Sequence, residues 1–182
     1  MAVQTVGVGT TSGEVAMGAQ SAEAEFDAFY RDTSRRVVHL VYAFTGDLTV
    51  AQDATQEAYA KAWQQWSRVR THDDPLAWVR TVARRTAISA WRKRTSQERA
   101  HERHGSRDAT GPPNEDRVAV VAALRTLPDP VREAVTLHYI GDLSVDRIAH
   151  ETNTPAGTVK ARLHRGRALL AQVLQHEEHP HG

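Results

Sequence analysis

The stretch "LSVDRIAHETNTPAGTVKARLHRGRALL", residues 143 to 170, carries the strongest structural signal in this chain. Ser144 is a good N-cap for a short helix from Val145 to Glu151. Thr152, Asn153 and Thr154 form a short polar turn, and Pro155 suits the first turn of a second helix. A short helix, a tight turn and a second helix predict a helix-turn-helix.

The second helix of this motif combines an apolar edge with charge of one sign. Val159, Leu163 and Leu170 recur at helical spacing and predict a buried edge, with Gly166 near the packing face. Residues 154 to 170 contain four basic side chains and no acidic one, which is typical of a surface that meets a polyanion. An ordinary amphipathic helix with a solvated basic face is the simpler alternative. The preceding turn and short helix favour DNA binding.

Composition restricts the classes of protein to which the chain can belong. Its 182 residues carry a formal net charge of only +1, so a strong field requires an uneven distribution of charge. The absence of cysteine excludes disulfides and thiolate zinc sites and suits a reducing cytosol. No stretch is apolar enough for a signal peptide or a membrane span. Residues 1–20 are small and nearly uncharged, which predicts a disordered leader.

In the segment 21–95, apolar residues recur every three to four positions in three successive stretches, which predicts three helices. Ser21 is a candidate N-cap, and the first apolar stripe ends at Gly46. A second helix is predicted over about 49–66, and Pro75 starts a third after a polar loop.

The remaining chain divides into a linker, a second domain and a tail. Residues 96–116 have almost no large apolar side chain and predict a flexible linker, helical at most at its start. The apolar period returns over 117–175, and 176–182 form a polar tail. Strand signals are nearly absent, so the predicted fold class is all-α, with two small helical domains at 21–95 and 117–175.

Three stretches together resemble the sigma factors of bacterial RNA polymerase. They are "DATQEAYAKAWQQW" (53–66), "PLAWVRTVARRTAISAWRKR" (75–94) and the block from 124 to 170. The resemblance covers roughly residues 26–174. It is strongest in the last block, where Leu-Pro, Ile-Ala, Gly-Thr-Val-Lys and Leu-His-Arg recur at fixed distances. The chain is similar to the short extracytoplasmic-function (ECF) type, which retains only the second and fourth conserved regions.

The resemblance implies a transcription initiation factor without catalytic residues, cofactor or metal. Such a protein binds the β and β′ subunits of core RNA polymerase, recognises the −35 and −10 promoter elements and promotes DNA melting. It is expected to be cytoplasmic, associated with the nucleoid when on polymerase, and monomeric when free. Relatives are often held by an anti-sigma protein, and the residues leave open whether one exists here.

The resemblance also assigns residues to three surfaces. Those expected to bind core polymerase are Asp53, Gln56, Glu57 and Lys61. Those expected at the −10 element and the melted strands are Arg68, Arg70, Asp73, Asp74, Arg80, Arg84, Arg85, Trp91, Arg92 and Lys93. Those expected at the −35 element are Thr158, Lys160, Ala161, Arg162, His164, Arg165 and Arg167.

Some of these assignments leave alternatives open. Asp73 and Asp74 can accept hydrogen bonds from bases or cap the following helix. Arg162 and Arg167 suit phosphate contacts or the polymerase flap. The family often has Asn and Asp where this chain has Arg85 and Ser89, which leaves the −10 sequence undetermined.

Two other classes of protein compete with this interpretation. A stand-alone helix-turn-helix regulator would account for residues 117–174, and it predicts a dimer on a palindrome. It leaves the N-terminal matches unexplained. An enzyme would need a catalytic motif that the ten histidines and many acids do not supply. The terminal "HEEHPHG" is predicted to be a solvated tail, with adventitious metal binding as the alternative.

Overall fold

The described part of the chain consists of helices joined by short turns and loops. A computed structural model describes residues 12–101 and 115–177, and within these residues there are eight α-helices and no strand. This confirms the predicted all-α class. The helices are α1 (Ser12–Thr45), α2 (Leu48–Gln64), α3 (Trp66–Val69), α4 (Pro75–His101), α5 (Glu115–Arg125), α6 (Asp129–Tyr139), α7 (Val145–Thr152) and α8 (Ala156–Glu177).

The corner between α1 and α2 is built by a glycine and an aspartate. Gly46 has a φ of 71°, in the left-handed region that favours glycine at the end of a helix. The carboxylate of Asp47 then accepts a hydrogen bond from the backbone N–H of Val50 at 2.9 Å. This N-cap starts α2 directly after α1 ends, so the two helices are antiparallel neighbours.

The turn between α7 and α8 has the geometry that its residues predict. The Ser144 hydroxyl accepts from the backbone N–H of Arg147 at 3.2 Å and caps α7. Asn153 adopts a φ of 49° and ends the helix in the left-handed conformation that asparagine tolerates. Pro155 precedes the first residue of α8. The helix-turn-helix predicted for 143–170 is therefore present.

Two apolar cores organise the fold. The first lies among α1, α2, α3 and α4, with Val41, Ala58, Trp66 and Val79 at its centre. The second lies among α5, α6, α7 and α8 and includes the buried edge of α8, where Val159 is fully buried.

The second core also takes residues from the first half of the chain. Leu40 and Ala43, on α1, are buried in the same cluster as the apolar side chains of α5 to α8. At Gly46 an added Cβ would lie 3.3 Å from Cγ1 of Val121 on α5. Two domains were predicted with a flexible linker between them, whereas here they pack directly against each other. The reason is that α1 is apolar on two faces, one for each core.

Several predicted boundaries differ from the structure. Helix α1 begins at Ser12, so it starts inside the stretch expected to be a disordered leader, and Ser21 lies within the helix rather than at its N-cap. The helix predicted for 49–66 ends at Gln64, and Trp66 begins the short α3. Residues 1–11 of the leader, 102–114 of the linker and 178–182 of the tail lie outside the described residues.

Candidate nucleic-acid and polymerase interfaces

The outer face of α8 holds the residues predicted for the −35 element. Val159 and Leu163 anchor the inner edge at 0% and 3% exposure. Arg162 is partly covered, and its Nη1 lies 3.5 Å from the hydroxyl of Thr154, which precedes the helix. The other predicted residues are exposed side by side along the helix: Thr158, Lys160, Ala161, His164, Arg165 and Arg167.

This surface has the charge and shape for a DNA groove. Because α7 and the turn support the start of α8, the exposed cations project from a rigid element. Basic side chains on such a helix neutralise phosphates, and those near its start reach base edges in the major groove. Arg167 stands further along, with its Nη1 3.4 Å from the hydroxyl of Tyr139, at the end of the surface.

The residues predicted for the −10 element fall into two groups. The first group is solvent-exposed: Arg68, Arg70, Asp73, Arg85 and Lys93. Within it, Arg70 forms an exposed ion pair with Glu25 at 3.1 Å. The side chain of Arg92 lies outside the described residues. The second group, Asp74, Arg80, Arg84 and Trp91, is covered to different degrees by the C-terminal half.

Asp74 is a helix cap and an ion-pair partner at once. One carboxylate oxygen accepts from the backbone N–H of Ala77 at 2.9 Å, which starts α4. The other lies 3.3 Å from Nη2 of Arg80 and 2.6 Å from Nη2 of Arg147 on α7. Of the two roles open to Asp74 from the sequence, the structure shows the capping one.

Arg80 and Arg84 point from α4 into the C-terminal half rather than into solvent. Nη2 of Arg80 donates to Oε1 of Glu151 at 2.7 Å. Arg84 forms an ion pair with Glu133 and also donates to the backbone carbonyl of Glu151 at 3.2 Å. Burial lowers the pKa of the Arg84 guanidinium, partly offset by the nearby negative charge of Glu151. Of the arginines on α4 that were expected at the −10 element, Arg80 and Arg84 are therefore buried, whereas Arg85 is exposed.

Trp91 is reached by a cation from the other half of the chain. The guanidinium of Arg132, on α6, lies 5.5 Å from the centre of the Trp91 ring and 5.4 Å from that of Phe44. These distances are within the range of cation–π attraction. The arginine is 5% exposed, so it packs between the two rings in a desolvated position.

The residues predicted to bind core polymerase share the exposed side of α2. Asp53, Gln56, Glu57 and Lys61 are all exposed. Glu57 and Lys61 form an i,i+4 ion pair at 2.5 Å, which is worth little in solvent and leaves both groups available. Beside them Trp63 is 46% exposed although it is large and apolar. An exposed tryptophan among charges is typical of a protein-binding surface.

Four residues at the contact between the halves have no counterpart in the sequence predictions. They are Arg132, Glu133, Arg147 and Glu151. Their partners lie about forty to ninety residues away along the chain, and local periodicity carries no information about such pairs.

The described parts of the chain contain no candidate metal site and no candidate membrane-spanning helix. Over residues 12–101 and 115–177 no three potential ligands among histidines and acids are grouped to hold a metal ion. No helix in these ranges is long and apolar enough to cross a bilayer.

An all-α chain with an exposed basic helix-turn-helix defines a DNA-binding protein. Two family models define it further: "Sigma-70 region 2" matches residues 29–97 and "Sigma-70, region 4" matches residues 117–170. Together the two matches cover more than half of the chain. The protein belongs to the sigma-70 family of RNA polymerase sigma factors, in the ECF group. Proteins of this family recognise promoters and start transcription with RNA polymerase.

Individual relatives agree with this assignment. The chain is 29% identical to the ECF RNA polymerase sigma factor SigK of Mycobacterium ulcerans, over 79% of this chain and 84% of that protein. It is 28% identical to the ECF RNA polymerase sigma factor SigW of Bacillus subtilis, over 89% and 94%.

Solved structures show the same fold. The sigma factor RpoE, in complex with the anti-sigma factor NepR from Bartonella quintana, superimposes with a TM-score of 0.72 at 22% identity, covering 83% of this chain and 97% of that one. CnrH, in complex with the cytosolic domain of CnrY, gives 0.63 at 19% identity, covering 86% and 94%.

Proposed function

We propose that three surfaces of this sigma factor divide the work of initiation. The exposed face of α2 docks on core polymerase, α4 with its preceding loop holds and opens the −10 element, and α8 reads the −35 element. The observation that supports this division best is the exposed basic face of α8, supported by α7 and the intervening turn. The chain itself performs no catalysis, because nucleotide addition belongs to the polymerase.

The α8 surface suits sequence recognition. Lys160, Ala161, His164 and Arg165 lie on its exposed side, with Val159 and Leu163 buried beneath. An arginine that makes two hydrogen bonds to a guanine edge discriminates against other bases by about 1–3 kcal/mol. Arg162 and Arg167, at the margins, suit phosphates or the polymerase flap.

The α2 surface suits a basic partner. Asp53 and Glu57 present carboxylates one helical turn apart, and Gln56 and Trp63 add hydrogen-bonding and apolar contacts beside them. A patch with a central aromatic anchor and surrounding charges matches the anatomy of protein interfaces. The matching surface on polymerase is the coiled coil of the β′ clamp, and the flap of β is the expected partner of the C-terminal half.

The proposal extends to where the protein acts and what controls it. It is monomeric when free, cytoplasmic, and associated with the nucleoid when bound to polymerase. RpoE and CnrH, whose folds it shares, were solved with an anti-sigma factor and with the cytosolic domain of CnrY. We extend the same class of protein partner to this chain.

The test is run-off transcription with core polymerase and a library of fully duplex promoters. RNA is expected only when the protein is added. Arg165→Ala is expected to lower initiation about tenfold through the loss of one base contact, while Arg35→Ala, an exposed arginine on α1, leaves it unchanged. Glu57→Ala is expected to weaken core binding, with the exposed Glu23→Ala as its matched control.

Two results would contradict the proposal. The first is no initiation on any template while the free protein shifts a palindromic duplex as a dimer, which would favour a stand-alone regulator. The second is an equal effect of each variant and its control, which would show that these surfaces do not carry the function.

A further inference from the structure

An ion pair ties the loop before α4 to the first helix of the chain. Nη1 of Arg70, the first residue of the loop 70–74, lies 3.1 Å from Oε2 of Glu25 on α1. The two residues are 45 positions apart in the sequence, and their side chains are 46% and 47% exposed. Arg70 is one of the residues proposed for the −10 element, whereas none of the three proposed surfaces includes a residue of α1.

The base of this loop rests on the same part of α1. Trp66 and Val69, on α3, are 5% and 1% exposed. The centre of the Trp66 ring lies 5.1 Å from that of Phe26 and 5.2 Å from that of Phe29. Because Glu25 directly precedes Phe26, its carboxylate stands on a part of α1 that is fixed by packing against α3.

The backbone of the loop is also fixed by its own hydrogen bonds. The N–H and the hydroxyl of Thr71 donate to the carbonyl of Arg68 at 3.2 and 2.8 Å. The N–H of His72 donates to the carbonyl of Val69 at 3.1 Å. Asp74 caps α4 at the other end of the loop. What is left to adjust is the direction of the exposed side chains.

Glu25 fixes that direction for Arg70. A long arginine side chain in solvent has many rotamers, and a carboxylate partner selects those that point towards it. The contact engages Nη1, and a guanidinium has five N–H donors, so others remain to meet a base or a phosphate. The carboxylate also offsets one positive charge of the loop. Because the pair is exposed, it is weak enough to rearrange when a nucleic acid arrives.

We infer that Glu25 is a specificity-determining residue for the −10 element, which acts by positioning Arg70. Glu25 precedes the segment 29–97 that matches sigma-70 region 2. It directs the guanidinium of Arg70 and offsets its charge, so that the loop distinguishes the non-template strand by its bases more than by its phosphates. The inference rests on the proposed role of the loop at the −10 element.

The physical basis is the difference between two kinds of contact. Attraction between a guanidinium and a phosphate is independent of sequence, whereas a hydrogen bond to a base edge requires a defined direction. An arginine that is released from its carboxylate gains the first contact and loses the second. Removing the charge of Glu25 therefore strengthens binding to any strand and weakens the preference for the −10 sequence.

The test uses the holoenzyme that the full chain forms with core polymerase. Its probes are two fluorescent single-stranded oligonucleotides, one with the non-template −10 sequence found by run-off transcription and one with the same bases in scrambled order. Glu25→Gln removes the charge and keeps the shape of the side chain. The matched control is Glu23→Gln, which makes the same change at an exposed residue of α1 that points to another side of the helix.

Glu25→Gln is expected to bind the scrambled strand about threefold more tightly, which is the scale of one exposed ion pair. The ratio of the affinities for the −10 and scrambled strands is expected to fall by about the same factor. Between about 0.05 M and about 0.2 M salt, the slope of log affinity against log salt is expected to steepen by about 0.7, the value for one additional phosphate contact on a single strand. Glu23→Gln is expected to change none of these quantities.

A double-mutant cycle with Arg70→Gln shows whether Glu25 acts through that arginine. In the Arg70→Gln background, a further Glu25→Gln is expected to have no effect, because the partner of the carboxylate is gone. Far-UV circular dichroism checks that each variant remains helical.

Three results would overturn the inference. The first is that Glu25→Gln has no effect on the otherwise unchanged protein. The second is an equal effect of Glu25→Gln and Glu23→Gln. The third is the same effect of Glu25→Gln with and without Arg70. In the last two cases the negative charge would act on the nucleic acid without the ion pair.

Failure of this inference and failure of the proposed function give different results. If Arg70→Gln weakens binding of the −10 strand while Glu25→Gln changes nothing, the role of the loop stands and the positioning role of Glu25 is overturned. If Arg70→Gln leaves binding of the −10 strand unchanged, the assignment of the loop to the −10 element fails, and the inference fails with it. Run-off transcription measures the sigma activity separately from both.

Discussion

Tyr59 illustrates how a single buried polar group contributes to the first core. Its hydroxyl shares a hydrogen bond of 2.6 Å with that of Thr33, joining α2 to α1. The ring is 2% exposed and packs edge-on against Tyr30 at 4.9 Å and Phe26 at 6.4 Å. Burial raises the pKa of the Tyr59 hydroxyl from 10.0 to about 12, because the phenolate would be poorly solvated there.

This shift predicts a loss of stability at alkaline pH. The folded state holds the Tyr59 proton more tightly than the unfolded state, so the contribution is complete below pH 10 and is lost as pH rises towards 12. The full loss in the free energy of unfolding is about 3 kcal/mol above pH 12, and about 1 kcal/mol of it is expected by pH 11. Denaturant unfolding at several values of pH between 8 and 11 measures it.

The control for this prediction is Tyr59→Phe, which keeps the ring and removes the titrating group. The free energy of the wild type relative to this variant is expected to fall as pH rises through 10. A difference that stays constant across the range would show that Tyr59 does not titrate differently in the two states.

At the scale of the element, α8 depends on one glycine for its position. Gly166 faces α6, where an added Cβ would clash with Val135 and lie 3.2 Å from Cγ1 of Val131. Valine side chains are stiff, so the helices cannot absorb the extra atom without moving apart. The glycine thus sets how closely α8 lies against α6.

Gly166→Ala is expected to destabilise the protein although alanine is the better helix former. Overpacking costs about 1–3 kcal/mol, which outweighs a gain in helix propensity of at most about 1 kcal/mol. Gly157→Ala is the matched control on the same helix, because no atom lies within 4 Å of its added Cβ. It is expected to stabilise the protein. Thermal and denaturant unfolding check both, and a stabilised Gly166→Ala would contradict the packing argument.

At the scale of the whole molecule, α1 joins the two halves. Val41 is buried in the first core, while its neighbour Leu40 is 5% exposed and buried in the second. Leu40 is also close to Gly141, where its Cδ1 would lie 3.3 Å from an added Cβ. The apolar contact around Leu40 therefore accompanies the ion pairs Arg80–Glu151 and Arg147–Asp74 in holding the halves together.

Leu40→Ala is expected to weaken the packing between the two halves and so to destabilise helices in both of them. Removing a buried leucine side chain costs about 2–5 kcal/mol, part of it in the cavity that remains. Faster hydrogen exchange is expected in α6 as well as in α1, because the lost contacts join them. Val120→Ala, at a residue 54% exposed on α5, is the control and should change neither helix. Faster exchange confined to the N-terminal half would contradict a shared core.

Much of the candidate site was predictable from local pattern. The caps at Ser144 and Asn153, the buried edge of α8 and its exposed basic face follow from residue type and helical period. The exposure of the carboxylates on α2 was predictable in the same way, because a charged side chain on the polar face of a helix is solvated by water and needs no distant residue to stabilise it. The start of α1 was missed because residues 12–20 have little apolar period, and helix can extend there from a nucleated neighbour.

The sequence by itself determined the all-α class and the helix-turn-helix, because these depend on contacts between residues a few positions apart. It also determined the family, because the family motifs can be read directly from the residues. Only the tertiary structure decided which charged residues meet solvent. Arg80 and Arg85 are the same type of residue on the same helix, yet Arg80 is buried against Glu151 while Arg85 is exposed. The physical reason is that an ion pair between residues about seventy positions apart depends on how two domains pack, and no local periodicity records that packing.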